Sequence, residues 1–431
     1  MDDMDIFWQQ TAPDGAQAQR LEGDASYDVA VVGAGFTGLN AALHLAEAGV
    51  KVAVFDAGPV AHGASGRSGG QVNPMLPAKK PQELRRAVGD RYFERMAETS
   101  FRSADDVFDL VRKYQIRCEA RQHGWIRAQH CDSARREANA NAHLWNEAGA
   151  GFEFVDADEV TRLSGAVGYV GGVIAPKGGA IQPLALTRGL EVAARAIGAD
   201  VFSFSPVKAL ERKEGRWHLR IGDHRVDAEQ VIFATNGYTD GLLKGLRGSV
   251  LPLTPLQMAA EGLDDSEIGP LLPQGHTISD TRRLIMYCRR EPGGQFLFGS
   301  TGYRKPLGGI GGFSWMLEDA VRIFPSLKNA KWKYRWGGRI ALTSDGVPHL
   351  HAPQPGLIAG LGYNGRGVAM SHVMGREMAR MALGVDPSQI PIPVTKIPRY
   401  KFRTPQVLGA GLAMAAMRWR DQRETFQGSG K

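Results

Sequence analysis

The sequence predicts an α/β protein in which a Rossmann-like dinucleotide-binding domain is joined to a second domain built on an antiparallel sheet. Three observations predict it. Asp28-Val29-Ala30-Val31-Val32 is an apolar strand that enters Gly33-Ala34-Gly35-Phe36-Thr37-Gly38, a Gly-x-Gly-x-x-Gly turn. A helical pattern and a second apolar run, Val50 to Phe55, then lead to Asp56, an acid at the spacing of a ribose-binding carboxylate. Much later, residues 250–332 change character: Pro252, Pro255, Pro270 and Pro273 interrupt helices, while Arg283 to Cys288 and Gln295 to Phe298 alternate as antiparallel strands.

Each part of the first unit has a physical task. Gly33 permits the tight turn, Gly35 lets a pyrophosphate approach the backbone, and Gly38 lets helix and strand pack closely. Phe36 and Thr37 open a helix whose free N–H groups and dipole favour phosphate. That helix carries Leu39, Ala42, Leu43 and Ala46 on one face and stops at Gly49. Asp56, followed by Ala57, suits ribose hydroxyls and disfavours a 2′-phosphate.

Length and composition restrict the function further. The 431 residues, 43% hydrophobic and 23% charged, suffice for two domains with a large core. The net charge of +7 is spread along the chain without a basic tail, which argues against a nucleic-acid partner. Cys118, Cys131 and Cys288 form neither a disulfide framework nor a metal cluster, so no metal is expected and a reducing cytoplasm suits them. The acidic start, Met1-Asp2-Asp3-Met4-Asp5, lacks a secretory h-region. No apolar run approaches the ~20 residues of a spanning helix.

Further motifs follow in order. Phe7 and Trp8 stand out in a polar leader, and Trp8 is expected to pack on the folded body. Gly63-Ala64-Ser65-Gly66-Arg67-Ser68-Gly69-Gly70-Gln71-Val72 is a small-residue loop that can run close to a flat ligand, with Arg67 as a cation. Residues 81–149 read as a helical region anchored by Trp125 and Trp145, with a strand entry at Arg121 to Ile126 and His123 and His130 at the surface. Leu184 to Ile197 reads as a helix, Val201 to Leu210 as a strand, and Trp217 to Ile221 with Val226 to Val231 as a hairpin. Val231 to Phe233 then delivers a turn, Ala234-Thr235-Asn236. Two late glycine motifs, Trp336 to His349 and Gly356 to Gly367, frame the start of a helix over Val368 to Leu383. The domains expected are 1–80, 150–249 and 333–384 for the cofactor, 81–149 as a helical region packed on it, and 250–332 for substrate. In the tail, 385–431, a helix carries Leu408, Leu412, Ala416 and Trp419 on one side. It is expected to pack on the body, with weak membrane-surface association as the alternative.

Taken together and in this order, the five motifs resemble the D-amino-acid-oxidase superfamily of flavoproteins, in the branch of γ-glutamylputrescine oxidases. The resemblance runs from about Asp5 to about Leu383. It implies FAD in a D-amino-acid-oxidase/glutathione-reductase type 2 fold. It implies FAD contacts at Gly33, Gly35, Phe36, Thr37, Gly38, Asp56 and Ala57, and along the loop Ser65, Gly66, Arg67, Ser68, Gly69, Gly70 and Gln71. Val207 resembles the residue whose backbone meets adenine, and Ala234, Thr235, Asn236, Gly338, Gly362, Asn364, Gly365 and Gly367 complete the set. Asp56 stands where Glu is usual, Ser68 where many relatives have Asn, and Arg366 where many have His. No Cys lies between Trp336 and Gly367, and no His immediately follows Gly63–Ser65, so the FAD is expected to be non-covalent.

The resemblance also implies oxidation of a C–N bond in an amine or amino acid, by hydride transfer to flavin N5, imine hydrolysis and reoxidation by O2. A dehydrogenase that passes electrons to a quinone or another acceptor is the alternative. Arg282, Tyr287, Arg289, Arg339 and Tyr363 are candidates for substrate binding, since arginine grips carboxylates in a bidentate manner. No catalytic dyad is visible; Tyr287, Tyr363 and Arg366 are the candidates beside the flavin.

Overall fold

The strand Ala25–Val32 lies between two parallel neighbours, Val52–Phe55 and His224–Phe233. From Val29 on, its alternate residues feed two cores: Val29 and Val31 meet helices on one face, Ala30 and Val32 a hairpin layer on the other. This is the pattern of a strand buried on both sides. The computed structural model describes residues 5–74, 80–261, 263–305 and 309–427. Among these, nine strands make the first sheet. Its main path runs Val394–Thr395, His349–Gln354, Leu357–Leu361, His224–Phe233, Ala25–Val32, Val52–Phe55 and Asp200–Phe202. The pair Val207–Lys213 and Arg216–Ile221 extends it beside His224–Phe233.

Helix Phe36–Glu47 packs on this sheet against helix Gly367–Ala382. The two backbones approach so closely that a Cβ on Gly375 would sit 2.5 Å from the Thr37 carbonyl oxygen. The expected strand from Val201 to Leu210 is instead two, Asp200–Phe202 and Val207–Lys213. Between them Ser205 donates its N–H to the Asp56 carbonyl and Pro206 interrupts the ladder.

The second sheet has ten described strands. Its path is Lys331–Gly337, Leu251–Glu261, Phe296–Arg304, Tyr287–Arg290, Thr277–Asp280, Trp125–Ala128, Gly172–Ala175 and Glu153–Val155. The last three come from segments that the sequence partition placed in the helical region and the cofactor domain. They pair instead with Thr277–Asp280 and with one another, Trp125 opposite Thr277 in parallel register. Helices Pro81–Val88, Asp90–Lys113 and Asp132–Glu147 keep to the expected helical region on the first core. The strand expected from Arg283 begins only at Tyr287, because the Asp280 carboxylate accepts the N–H groups of Arg282 and Met286 and holds a turn.

Helix Arg403–Gln427 also departs from expectation. Met414 and Asp421 face the body, and Asp421 accepts Arg283 and the Leu284 N–H. Leu408, Leu412 and Trp419 are 74%, 83% and 56% exposed, so the apolar side faces outward. Among the described residues no helix is long and apolar enough to cross a membrane.

Candidate active site

The Gly-x-Gly-x-x-Gly turn is held from below and behind. Gly33 has φ +110°, with the Ala234 carbonyl against it. Gly38 lies beneath the turn and does not line the cavity; a Cβ there would come 1.9 Å from the Gly33 oxygen, so its task is packing. The helix starts at Phe36 without a side-chain cap on Gly35, which leaves N–H donors at the cavity wall. Asp56 accepts the Ala34 N–H at 2.6 Å and the Gly58 N–H at 3.0 Å, and His62 Nδ1 lies 3.0 Å from it. Hydrogen bonding to this carboxylate raises the His62 pKa against the opposing effect of burial.

Two indoles pin the small-residue loop. Trp8 Nε1 donates to the Ser68 carbonyl at 2.9 Å, and Trp336 Nε1 donates to the Arg67 carbonyl at 3.0 Å. Ser65 Oγ accepts the Phe36 N–H at 2.9 Å, which ties the loop to the helix start. Arg67 donates to the carbonyls of His62 and Gly337, so part of its hydrogen-bonding capacity serves the loop itself. Gly66 turns the loop behind the wall, where a Cβ would meet the Ala61 oxygen at 2.3 Å. Ser65, Arg67, Ser68, Gly69, Gly70 and Gln71 line the cavity.

The roof comes from the late motifs. Tyr363 and Thr37 share a 2.7 Å hydroxyl bond, and burial pushes the Tyr363 pKa up. Asn364 accepts the Thr343 N–H and donates to the Gly362 carbonyl, so it shapes the turn. Gly362 sits behind the wall and donates to Asn236 Oδ1 at 2.9 Å. Ala57, Val207, Ala234, Thr235, Asn236, Gly338, Gly365 and Gly367 all reach the cavity, whose volume is about 1000 Å³.

The candidates for substrate binding separate into two groups. Arg289 does not reach the cavity. It is 2% exposed, forms a bidentate pair with Glu291, and donates to the carbonyls of Gly69 and Ile181. Arg282 lines the wall, but Asp280 and the Tyr169 hydroxyl hold its guanidinium. Tyr287 lines the wall with its ring, while its hydroxyl donates to the Leu256 carbonyl and accepts from Gln257. Arg339, over the Tyr238 ring at 5.4 Å, and Arg366, over the Trp125 indole at 4.4 Å, face the cavity. Burial lowers the pKa of both, with neighbouring arginines adding to the effect.

Arg127, Ser279, Thr281, Gln257 and Tyr238 also line the cavity and were not singled out in the sequence. For Arg127 a signal exists: Trp125-Ile126-Arg127 alternates, which sends Trp125 and Arg127 to one face of a strand. Away from the cavity, His130, Cys131 and Glu424 bring potential ligand atoms within 4.8 Å of one another, although no metal was expected. His130 is buried rather than superficial, and Glu424 is already paired with Arg283.

The helix N-terminus at the cavity wall, the acid at the end of the second strand and a single cavity joining all five motifs fit FAD. The comparisons agree. The family model described as DAO, FAD dependent oxidoreductase, matches residues 28–381. A probable oxidoreductase OrdL of Haemophilus influenzae is 31% identical over 83% of this chain and 83% of its own. The gamma-glutamylputrescine oxidoreductase of Escherichia coli is 29% identical over 83% of this chain and 84% of its own. Glycine oxidase from Geobacillus kaustophilus shares the fold with a TM-score of 0.72 at 19% identity, over 86% of this chain and 99% of that one. With its turn, loop and roof motifs gathered around one cavity, the chain belongs to the DAO family of FAD-dependent oxidoreductases.

Proposed function

We propose that the protein oxidises a C–N bond in an amine or amino acid, using non-covalently bound FAD, with imine hydrolysis and O2 as the final electron acceptor. The observation that carries this reading is the shared cavity: the dinucleotide motifs and one face of the second sheet open into the same space. When bound, the flavin supplies the hydride acceptor, N5. The relatives named gamma-glutamylputrescine oxidoreductase and glycine oxidase support an amine or amino-acid substrate.

The chain's own residues have three tasks. Tyr287 and Tyr363 supply apolar walls that exclude water. Arg127, Arg339 and Arg366 face the interior, and their positive field disfavours a protonated amine, so the amine reacts in its neutral form. A separate general base is then unnecessary, in keeping with the engaged hydroxyls of Tyr287 and Tyr363. No described lining residue is a cysteine, and His62 sits against Asp56 at the ribose end, which supports a non-covalent flavin.

A second reading, a dehydrogenase that delivers electrons to a quinone, is favoured by the outward apolar side of the last helix, with Arg420 and Arg423 nearby. The test is anaerobic mixing of the yellow protein with amines and amino acids, followed by air or an artificial acceptor. Bleaching of the flavin by an amine and H2O2 in air support the oxidase. Bleaching without H2O2, with turnover restored by the acceptor, supports the dehydrogenase. A flavin that no amine bleaches overturns both.

A further inference from the structure

Twelve large apolar side chains stand exposed among the described residues, and six of them lie between positions 402 and 419: Phe402, Val407, Leu408, Leu412, Met417 and Trp419. Single exposed apolar residues are ordinary, whereas a contiguous group marks an interaction surface. On helix Arg403–Gln427, Leu408, Leu412, Ala415 and Trp419 follow at intervals of four, three and four residues, which places them on one stripe.

The stripe is held in place from behind. Met414 and Asp421 face the body. Gly411 lets the helix approach strand Phe296–Arg304 closely; a Cβ there would meet the Tyr303 ring at 2.9 Å. Arg418 donates to Glu318 at 2.6 Å, and Asp421 and Glu424 accept Arg283. The apolar stripe is thus the outer side of a docked helix, and folding itself does not cover it.

Charge decides what the stripe fits. From Pro387 to Arg420 the chain has no acid and six cations, Lys396, Arg399, Lys401, Arg403, Arg418 and Arg420. The stretch from Thr404 to Met417 carries no charge, so cations bracket it at both ends. Lys396, Arg399 and Lys401 are exposed before it, Arg420 and Arg423 after it. Arg423 lies over the Trp419 indole at 4.6 Å, an amphipathic pairing suited to a lipid–water boundary. A second copy of the helix laid on the first, in either direction, would bring cations against cations, which is unfavourable. An anionic lipid surface offers apolar depth beneath a layer of phosphate charge and satisfies both features. Leu408 to Trp419 extends about 17 Å at 1.5 Å per residue, against about 30 Å for a bilayer core, so the helix would lie in the plane of the interface.

We infer that helix Arg403–Gln427 is an interfacial anchor that docks the protein on an anionic membrane surface. Leu408, Leu412 and Trp419 enter the lipid, and the flanking lysines and arginines meet the phosphates. This surface goes beyond the reaction assigned to the cavity and holds whichever acceptor the flavin uses.

The test is co-sedimentation of the flavin-loaded full chain with vesicles of phosphatidylglycerol and phosphatidylcholine, beside vesicles of phosphatidylcholine alone, at low and high salt. The variants are Leu408→Glu, Leu412→Glu, Trp419→Ser and a triple Lys396→Gln, Arg399→Gln, Lys401→Gln. The unaltered protein should bind the anionic vesicles, leave them as salt rises, and bind phosphatidylcholine alone at least about tenfold more weakly. Each leucine variant should weaken binding about ten- to a hundred-fold. The triple variant should weaken it about fivefold for each cation removed. Flavin content and the unfolding midpoint should hold, because Leu408 and Leu412 are largely exposed.

Absence of binding to anionic vesicles overturns the anchor, as does binding that the leucine variants leave unchanged. A dimer in lipid-free sedimentation that Leu412→Glu dissociates, without vesicle binding, assigns the stripe to a second copy instead. If the leucine variants lose flavin, Trp419→Ser and the triple variant decide, and unchanged binding in both overturns the anchor. Failure of amines to reduce the flavin leaves this test intact.

Discussion

Ser65 Oγ accepts the Phe36 N–H, and a Cβ added to Gly35 would lie 2.8 Å from that same oxygen. The phosphate turn and the small-residue loop therefore meet through one hydroxyl. Gly35 is required by this contact as well as by any pyrophosphate above it. Gly35→Val should yield protein without flavin, read as the ratio of visible to ultraviolet absorbance after purification. Ser65→Ala should leave the Phe36 N–H without its partner and cost about 1–3 kcal/mol of stability. A full flavin complement in Gly35→Val would remove the turn from the cofactor site.

Trp8→Ala should loosen the flavin loop. The indole is fully buried, packs edge-on to Trp336 and donates to the Ser68 carbonyl. Loss of such a side chain costs about 3–5 kcal/mol. Thermal unfolding followed by flavin fluorescence should show a lower midpoint and earlier flavin release.

The flavin should dissociate intact. After acid precipitation, the yellow colour should remain in the supernatant. Colour retained in the washed pellet would demonstrate a covalent bond and send attention back to His62.

Arg289→Ala should act on stability and not on substrate. It removes the bidentate partner of the buried Glu291 carboxylate, which keeps Arg121 at 3.5 Å, and removes donors from the Gly69 and Ile181 carbonyls. Breaking a buried pair in this way costs about 3–5 kcal/mol. Denaturant unfolding should detect the loss, and any protein that retains flavin should keep its preference between an acid substrate and its amide.

Stability should fall in mild acid. Burial lowers the pKa of His351 and of His372 to about 4. The unfolded chain thus binds more protons than the folded one between the ordinary histidine value and about 4. Stability is fully present above about 6.5 and is lost as the pH falls towards 4, by up to about 1.4 kcal/mol per pH unit for each histidine. His372→Gln should flatten that slope in urea titrations at a series of pH values; an unchanged slope would show that His372 does not contribute.

What the sequence made legible was local. Gly33 to Asp56 forms a continuous strand–turn–helix–strand unit, and Gly38 performs the packing task that its position suggests. Placement of Trp125–Ala128 was not legible, because its partners Thr277–Asp280 lie far along the chain and carry no complementary local pattern. The misplaced substrate arginines were legible in part. In Asp280-x-Arg282 and Arg289-x-Glu291 an acid and a base stand two positions apart, a spacing that favours pairing with each other over pairing with a ligand. The direction of the last helix was hidden because its buried contacts depend on Asp421 rather than on its leucines.

The order of strands in the first sheet has a consequence for how the protein is made. Ala25–Val32 cannot acquire one of its two neighbours until His224–Phe233 has left the ribosome, and the sheet then waits for Leu357–Leu361. The phosphate turn is synthesised well before the roof that covers it. Cofactor capture is therefore a late event in biosynthesis. Until then the nascent chain presents unpaired apolar strand edges, the kind of surface that chaperones recognise and that aggregation exploits.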